Sequence, residues 1–216
     1  MRILSANIWN DAADPTALVE SLKAWEVDIV ALQELGLEQA RALAQAYPYG
    51  SLEGSSDFRG MGIAANRPLE VKRVPLPFRD ARVARVQGAA FDVRIDFELI
   101  NVHLVAPHCW PPWRAYRLRR EQVSGVLRWV GGNPGSQLLV GDLNSTPLWP
   151  AFRRLATHFR DAAGSGGGPI ERTWGPTPGA PRLLRIDHAL ARRMNVEALR
   201  VVPITGSDHS GLLIDV

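Results

Sequence analysis

The chain has 216 residues, of which 46% are hydrophobic and 22% charged, and its formal net charge is +3. This length and apolar content predict one domain over residues 1–216, because single domains of about 200–250 residues can bury a full core. No apolar run reaches the roughly 18–20 residues that cross a membrane, and the lone Cys109 cannot form an internal disulfide. We therefore expect a soluble, reduced and cytoplasmic protein that acts as a monomer.

The amino-terminal third is predicted to alternate between apolar strands and amphipathic helices. Met1–Trp9 has the pattern of a strand and lacks the charged and apolar regions of a signal peptide, so we expect no targeting segment there. Asp14 precedes Pro15 and a series of apolar residues at helical spacing, which predicts a capped helix. Three further elements follow: a strand at Asp28–Glu34, a helix at Leu37–Ala46 and a strand at Met61–Ala65.

The middle of the chain contains a strict alternation of apolar and charged residues. From Phe91 to Leu99 every odd position is apolar and every even position is Asp, Arg or Glu, which is typical of a strand with one exposed face. A turn within this segment would change the register, so the register is left open. The elements predicted after it are a strand at Leu99–Leu104, a helix at Trp113–Val130, a strand from Leu138 and a helix at Trp149–Thr157.

The last third contains a glycine-rich segment followed by three strands. Residues 164–169, Gly-Ser-Gly-Gly-Gly-Pro, predict a surface loop. Strands are predicted at Leu184–Leu190, near Val196–Val202 and at Gly211–Val216. Strands with one exposed face, mixed with strand–helix units, favour two packed sheets, mixed or largely antiparallel, with helices outside them. A wholly parallel doubly wound sheet fits this order less well.

Polar residues follow or interrupt most of the predicted strands, which have no structural need of them. Each alone is most often a turn former or a helix cap, but together they indicate one site. Oxygen ligands such as Glu34 and the Asn7 carbonyl suit Mg²⁺ or Mn²⁺, whereas the histidines are too scattered for a familiar zinc site. The set therefore predicts phosphoester hydrolysis assisted by a hard divalent metal. Its members are Asn7, Glu34, His103, Asp142, Asn144, Asp187, Asp208 and His209.

The order of these motifs resembles that of the endonuclease/exonuclease/phosphatase superfamily. The motifs are Asn7, Gln33-Glu34, Asn101-Val-His103, Gly141-Asp-Leu-Asn144, Ile186-Asp187-His188 and Gly206-Ser-Asp-His-Ser210. The chain is most similar to the bacterial YafD-like group, for which the resemblance implies no particular substrate. The resemblance implies the α+β fold of DNase I-like proteins, a four-layered α/β sandwich with two packed sheets between helices. It also implies a Mg²⁺- or Mn²⁺-dependent phosphoric ester hydrolase.

The resemblance further implies a role for each polar residue at the strand ends. Glu34 would be the main metal ligand, with Asn7 beside it and Asp208 at a second metal or a structural hydrogen bond. Asp142 would position or deprotonate the attacking water, and Asn144 would hydrogen-bond the scissile phosphate. The reaction would be an in-line attack by water, with the metal and an imidazolium stabilising the charge of the transition state.

Two histidines complete the implied site. His209, oriented by Asp187, would contact a phosphate oxygen or relay a proton, and His103 would be the general acid for the leaving oxygen. An imidazole beside a carboxylate has a raised pKa, so we expect these histidines to stay protonated near neutral pH. Asp57 is the candidate partner of His103, and His188 is predicted to be a packing residue.

The segment Leu104–Gln122 interleaves aromatic and basic residues directly after His103. Aromatic residues for stacking and arginines for phosphates are the elements of a single-stranded nucleic-acid surface, but an amphipathic helix has the same pattern. The same aromatic residues could instead hold a lipid or a nucleotide. The candidate substrate-binding residues are Trp110, Arg114 and Arg117, accompanied by Trp113, Tyr116, Arg119 and Arg120, with Trp174 and Arg185 on the other side of the cleft.

Three classes of function stay open at this point. A nuclease with nucleic acid as its substrate stands first, and a phosphatase or phosphodiesterase of lipid head groups or small phosphoesters stands second. A noncatalytic binding module is a distant third, because every core motif residue is present. Trp9 occupies a position where several repair endonucleases carry an acidic residue, and the chain is shorter than most nucleases of the family. Both departures lower the weight of duplex-specific repair.

Overall fold

The computed structural model describes residues 1–164 and 170–216. The glycine-rich loop predicted at residues 164–169 lies, apart from Gly164, outside the described residues. Within them, twelve strands form two six-stranded sheets. In spatial order, sheet A contains β11 (Ala198–Pro203), β12 (Ser210–Asp215), β1 (Arg2–Asn10), β2 (Ile29–Leu35), β4 (Met61–Ala65) and β3 (Tyr49–Glu53). Sheet B contains β5 (Glu70–Val74), β6 (Ala81–Val86), β7 (Phe97–His103), β8 (Ser136–Asp142), β10 (Asp187–Arg192) and β9 (Arg160–Asp161).

Each sheet has one parallel pair of strands at its centre. β1 and β2 run parallel in sheet A, and β7 and β8 run parallel in sheet B. The other neighbouring strands are antiparallel, so both sheets are mixed, as predicted. The carboxyl-terminal ends of the two parallel pairs meet, because Asn7 of β1 bonds Asp142 of β8 at 3.2 Å. Polar residues from both sheets therefore collect at one end of the sandwich.

Three apolar clusters separate four layers. One cluster, with Ile63 and Leu99 among its members, lies between the two sheets. The others pack the outer face of each sheet against a pair of helices, through residues such as Leu22 for sheet A and Val126 for sheet B. The helices are α1 (Pro15–Ala24) and α2 (Leu37–Ala46) on sheet A, and α3 (Pro112–Gly132) and α4 (Pro150–Ala156) on sheet B. No helix in the described part of the chain is long and apolar enough to span a membrane.

A buried polar bridge crosses the core between the sheets. Gln33 of β2 donates from Nε2 to Asn101 Oδ1 of β7 at 2.7 Å. Asn101 in turn donates from Nδ2 to the carbonyl oxygens of Leu32 and Gly62, at 2.9 and 3.0 Å. Both side chains are fully buried, and an unpaired amide there would cost about 1–3 kcal/mol. These bonds fix the sheets against each other just before the strand ends that carry the functional residues.

Most of the predicted elements are confirmed. Asp14 caps α1 by accepting the N–H of Ala17 at 2.7 Å, and Pro15 lies in the first turn. The helix at Leu37–Ala46 and the strand at Met61–Ala65 have the predicted limits. The strands β3, β5, β6 and β9 were not predicted, since these short segments lack a clear apolar alternation or run.

The alternating segment Phe91–Leu99 is not a single strand. Gly88–Phe91 forms a 3₁₀ turn, and β7 begins only at Phe97. Asp96 closes the intervening loop by accepting the Gly88 N–H at 2.9 Å, while the two phenylalanines are each 3% exposed. The alternating pattern therefore comes from a loop whose two ends are held by buried phenylalanines, and it does not come from the pleat of one strand.

Candidate active site

Three adjacent strands of sheet B bring His103, Asp142 and Asp187 side by side. β8 ends at Asp142, which is paired with His103 on the parallel strand β7 and with Asp187 on the antiparallel strand β10. Paired residues of neighbouring strands project to the same face of a sheet. All three residues are at most 3% exposed. The strand register thus assembles a buried row of one imidazole and two carboxylates.

The turn after β8 brings Asn144 against this row. Gly141 has φ +130°, and a Cβ there would lie 2.0 Å from the carbonyl oxygen of Val102, so the position requires glycine. The Asn144 N–H donates to Asp142 Oδ1 at 2.7 Å, and its Nδ2 donates to Asp142 Oδ2 at 3.0 Å. The same Nδ2 lies 3.4 Å from His103 Nε2. The Gly-Asp-Leu-Asn pattern therefore encodes a turn that orients the Asp142 carboxylate.

Sheet A contributes Asn7 and Glu34 from the ends of its parallel strands. Asn7 Nδ2 donates to Asp142 Oδ2 at 3.2 Å, and Glu34 Oε1 lies 3.6 Å from His103 Nε2. Glu34 has φ 50°, a left-handed conformation that is uncommon for a residue other than glycine and is often found at functional sites. The two sheets therefore meet at a single polar cluster.

His209, just before β12, is held as an imidazolium. Its Nδ1 hydrogen-bonds both carboxylate oxygens of Asp187, at 2.9 and 3.1 Å. Its Nε2 lies 3.9 Å from Asp142 Oδ2 and 3.9 Å from Asp208 Oδ1. Burial alone would lower the pKa of His209, but Asp187, Asp142 and Asp208 together raise it to about 10. The predicted pairing of His209 with Asp187 is therefore present, and this histidine is charged at neutral pH.

His103, in the same polar cluster, is held as a neutral imidazole. Its Nε2 lies 3.4 Å from Asp142 Oδ2 without a hydrogen bond between them, and its buried Nδ1 has no partner among the described residues. Burial, with the positive charges of Arg79 and His209, holds the pKa of His103 well below its ordinary value. The expectation of a protonated His103 is therefore wrong for this structure. Its proposed partner is also wrong, because Asp57 pairs with Arg59 at 2.6 Å.

The site holds carboxylates at an energetic cost. Burial raises the pKa of Glu34, and burial also raises the pKa of Asp142, to about 7. Asp208 Oδ2 accepts the Trp174 indole N–H at 3.0 Å, but its buried Oδ1 has no hydrogen-bond partner in the part of the chain that is described. Oxygen donors of this kind fit a hard divalent cation, whose charge would favour their ionised forms.

Two sets of residues could hold such a cation. Asp142, Asp187 and His209 place ligand atoms within 4.8 Å of one another. In that set the Nδ1 of His209 is already bonded to Asp187, so an ion that leaves this bond intact would have to bind the Nε2 of His209. Glu34 and Asp208, from the set that the resemblance implies, line the same cleft and have no competing imidazole bond.

The polar cluster opens onto a cleft of about 620 Å³. Its polar lining includes Glu34, Arg79, His103, Asp142, Asn144, Asp208 and His209, and its aromatic lining includes Trp9, Phe58, Phe78, Trp149 and Trp174. A second groove of about 530 Å³ shares Pro107 and Trp149 with this cleft. A ligand that extends beyond the cleft could therefore continue into the groove.

Only some of the predicted substrate-binding residues line the cleft. Trp174 lines the cleft, but Trp110, Arg114 and Arg117 do not. Arg117 pairs with Glu121 at 3.6 Å, and Trp110 is 82% exposed. The groove itself is lined by Tyr116, Arg120 and Arg154, among others.

Two of the predicted basic residues have structural partners instead. Arg185 pairs with Asp161 and lies over the ring of Phe152 at 5.8 Å, which takes it away from the cleft. Arg119 is buried and donates to the carbonyl oxygens of Val105, Leu143 and Asn144. It holds the Asn144 turn in place, and it also lies in the lining of the groove.

Arg182 is one of several supporting residues that were not predicted. Its guanidinium donates to the carbonyl oxygens of Ser207, Asp208 and His209, and to Ser210 Oγ, so it fixes the segment that carries two site residues. The only sequence signal is an arginine in a proline-rich loop, which does not reveal which carbonyls it reaches.

Thr173 and Ser207 support the His209–Asp187 pair. Thr173 Oγ1 accepts the N–H groups of Ile186 and Asp187 at 3.2 and 3.1 Å. Ser207 donates from Oγ to the backbone carbonyl oxygen of Asn7 at 2.8 Å and accepts the backbone N–H of His209 at 3.0 Å. The serine of the Ser-Asp-His motif was a visible signal for this link. Thr173 was considered with Trp174 as a residue of the cleft wall, and nothing in the sequence indicated its bonds to Ile186 and Asp187.

The sequence matches the Endonuclease/Exonuclease/phosphatase family over residues 4–209. Since this match covers nearly the whole chain, the protein belongs to that family, whose members are phosphoester hydrolases. No curated protein sequence matches the chain significantly.

Solved structures with the same fold include two proteins named as phosphatases. A humanised TDP2 of D. rerio superposes with a TM-score of 0.76 at 20% identity, covering 99% of this chain and 97% of that one. The 3′ phosphatase NExo from Neisseria, bound to a product DNA hairpin, gives 0.75 at 20% identity, with 100% and 98% covered. A mannosyl-6-phosphatase from Bacteroides thetaiotaomicron gives 0.74 at 15%, with 100% and 98% covered. At identities this low, the superpositions establish only the fold, which is the DNase I-like sandwich.

Proposed function

We propose that the protein is a divalent-metal-dependent phosphodiesterase and that nucleic acid is its principal substrate. The observation that carries this proposal is the pairing, in one buried cluster, of the Asp142 carboxylate with the His209 imidazolium 3.9 Å away. Attack by water on a phosphodiester needs a base for the water and a cation for the phosphate oxygens. We propose further that residues 1–216 act as one catalytic domain.

Asp142 and Asn144 act on the water and the phosphate in this proposal. Asp142 positions the attacking water and accepts its proton, and a pKa of about 7 suits a base that works near neutral pH. The Nδ2 of Asn144 donates to Asp142 Oδ2 and to the Leu104 carbonyl in this structure, and one of these two hydrogens would turn to a non-bridging phosphate oxygen when substrate binds. The bond between its own N–H and Asp142 Oδ1 keeps the base and the phosphate-binding group in a fixed relation.

The two histidines have different tasks. His209, kept protonated by Asp187, donates from Nε2 to a phosphate oxygen and stabilises the charge that develops during attack. His103 is neutral and supports the Asn144 amide, 3.4 Å from its Nε2. This assignment replaces the general-acid role that the resemblance implied for His103.

Glu34, with Asn7 and Asp208 beside it, would hold Mg²⁺ or Mn²⁺. A metal bound there supplies charge that neutralises the phosphate and the leaving oxygen. The raised pKa of the buried Glu34 carboxyl and the unpartnered Asp208 Oδ1 support this placement. The choice of ion rests on the oxygen character of the donors.

A single strand of nucleic acid would lie in the groove beside the cleft. Arg120 lies 5.9 Å from the Tyr116 ring centroid, and stacking on aromatic rings with arginines near the phosphates is how single strands are bound without sequence preference. Trp149 is shared by groove and cleft and would stack the nucleotide next to the scissile bond. Trp110 and Arg114, at the start of α3, would extend this surface.

The second candidate is a phosphatase or phosphodiesterase of lipid head groups or small phosphoesters. It is favoured by two strongly exposed apolar residues near the groove, Leu148 at 84% and Trp110 at 82%, which would also meet an apolar substrate. Two of the similar structures carry the name phosphatase. Membership of the YafD-like group is likewise a proposal, supported by the order of the motifs alone.

A substrate panel tests the proposal. Purified protein would be incubated with bis-p-nitrophenyl phosphate, single-stranded DNA, RNA, duplex DNA with an abasic site, sphingomyelin and phosphoinositides. We expect cleavage of bis-p-nitrophenyl phosphate and of single strands with Mg²⁺ or Mn²⁺, and none with EDTA. If both single-stranded DNA and bis-p-nitrophenyl phosphate stay intact with either metal, the proposed activity is wrong. Cleavage of sphingomyelin or phosphoinositides alone would select the second candidate.

A further inference from the structure

Arg79 is a residue of the cleft to which neither the motifs nor the proposed mechanism assigns a role. It lies in the loop that joins β5 to β6, on the edge half of sheet B, and it lines the cleft together with Glu34, His103 and Asp142. The guanidinium therefore faces the phosphate-handling groups from a part of the chain that carries none of the recognised motifs.

Among the described residues, the guanidinium of Arg79 makes no direct ion pair with a carboxylate. Its Nε is buried without a hydrogen-bond partner, and none of its nitrogens is within 4.0 Å of a carboxylate oxygen in the described residues. Nearby arginines differ. Arg73 and Arg82, which flank it on β5 and β6, both bind Glu53, and Arg59, which also lines the cleft, pairs with Asp57.

An arginine in this state is costly unless an anion completes its surroundings. Burying a charged group away from water without a partner is unfavourable, and burial lowers the pKa of Arg79, against the attraction of Glu34 and Asp142. The ring of Phe78, 5.3 Å from Cζ, supplies one weak contact. The anion that reaches this cleft during catalysis is the substrate, and a guanidinium matches phosphate oxygens in shape as well as in charge.

We infer that Arg79 binds a non-bridging oxygen of the substrate phosphate and is a second cationic contact beside His209. This inference rests on the proposed phosphoester hydrolysis and adds a residue to that site. Since the contact is to the phosphoryl group itself, Arg79 holds the product phosphomonoester and inorganic phosphate as well as the substrate. Free phosphate should therefore inhibit the enzyme through this residue.

Three variants test the inference by kinetics. Replacing Arg79 by Ala is expected to lower kcat/KM for bis-p-nitrophenyl phosphate by about tenfold to a hundredfold, the range for a charge-assisted hydrogen bond. Arg79→Lys should recover only part of this, because an ammonium cannot form the forked contact. Guanidinium ion in solution should partly restore Arg79→Ala. Arg41→Ala, an exposed arginine of α2 outside the cleft, is the matched control and should behave as the parent protein.

Binding of inorganic phosphate in EDTA gives a readout that does not depend on activity. Titration followed by phosphorus NMR should show at least about tenfold weaker binding for Arg79→Ala than for the parent and Arg41→Ala. If the parent hydrolyses no phosphoester, the proposed function fails, while this titration still decides the role of Arg79.

A structural role for Arg79 would give a different pattern. In that case Arg79→Ala would lower the melting temperature and leave phosphate affinity unchanged, which would overturn the inference. Tighter binding of Mn²⁺ by Arg79→Ala with unchanged phosphate affinity would also overturn it, because Arg79 would then only balance the charge of Glu34. We expect an unchanged or higher melting temperature, since the variant removes a buried Nε that has no hydrogen-bond partner among the described residues.

Discussion

His209 and His103 lie in the same buried cluster, but His209 is held as a positively charged imidazolium and His103 as a neutral imidazole. Both have a ring nitrogen within 3.9 Å of Asp142 Oδ2, and both are at most 5% exposed. His209 donates from Nδ1 to Asp187, whereas the Nδ1 of His103 has no partner in the described chain. Proximity to a carboxylate is therefore not enough to charge a buried histidine, because a direct hydrogen bond must offset the cost of desolvation.

The largest effect should come from the carboxylate near both histidines. Asp142→Asn removes the proposed base while keeping the size of the side chain, so we expect kcat/KM to fall by about 10³- to 10⁴-fold. Circular dichroism and the melting curve should show a folded protein. An active Asp142→Asn variant would contradict the assignment of the base.

The next largest effect should come from making His209 resemble His103. Asp187→Asn removes the charge that raises the pKa of His209, so the imidazolium should be lost at a lower pH. We expect kcat/KM at neutral pH to fall about 10²- to 10³-fold and its alkaline limb to move to lower pH. Asp161→Asn is the control, because Asp161 pairs with Arg185 outside the cleft. An alkaline limb that stays in place would show that His209 does not need Asp187.

Replacing His103 should cost less than replacing His209. A neutral histidine that supports the Asn144 amide contributes through hydrogen bonding alone, so His103→Gln should lower kcat/KM about tenfold, with no change in the shape of the pH profile. His209→Gln should cost about a hundredfold or more. Equal losses, with an alkaline limb removed by His103→Gln, would show that substrate binding protonates His103 and restores its role as general acid.

A third buried histidine extends the comparison to stability. His188 is fully buried, bonds the Ser145 carbonyl through Nε2 at 2.7 Å and packs on Phe152. Burial, with the charge of Arg185, lowers its pKa to about 4. Because the unfolded chain takes up this proton near pH 6.5, stability present above that pH is lost as pH falls toward 4, by about 3 kcal/mol.

The measurement for His188 is the free energy of unfolding by urea between pH 7 and pH 4.5, in EDTA. His188→Gln, which can still donate to Ser145, should lose much of the acid sensitivity. His158→Gln, at an exposed position, should keep all of it. If the His188 variant and the parent lose stability in parallel, the buried neutral histidine is not the cause.

The sequence allowed the layers and the eight strand-end residues to be predicted, because both depend on local patterns. Apolar periodicity defined α2 and β4 at their observed limits. The structure brings polar residues of both sheets together because parallel strands end at the same edge, and the register of β7, β8 and β10 aligns three of them.

The roles that depend on three-dimensional contacts could not be predicted. Arg185 and Arg119 were interpreted as substrate residues, but partners distant in sequence, Asp161 and the Asn144 carbonyl, engage them. Arg79 and Arg182 have no motif, since the anion or carbonyls that each faces come from other loops. The prediction of a charged His103 was wrong for the same reason, because only the structure reveals whether a carboxylate bonds directly to its ring.

The most direct test of this comparison is a side-chain NMR titration of the histidines in the metal-free protein. Isotope-labelled protein in EDTA would be titrated, with His103→Gln and His209→Gln used to assign the two rings. We predict that His209 stays an imidazolium through neutral pH and loses its proton near pH 10, while His103 is already neutral where ordinary histidines titrate. Titration of both rings together near pH 6.5, or a protonated His103 at neutral pH, would contradict it.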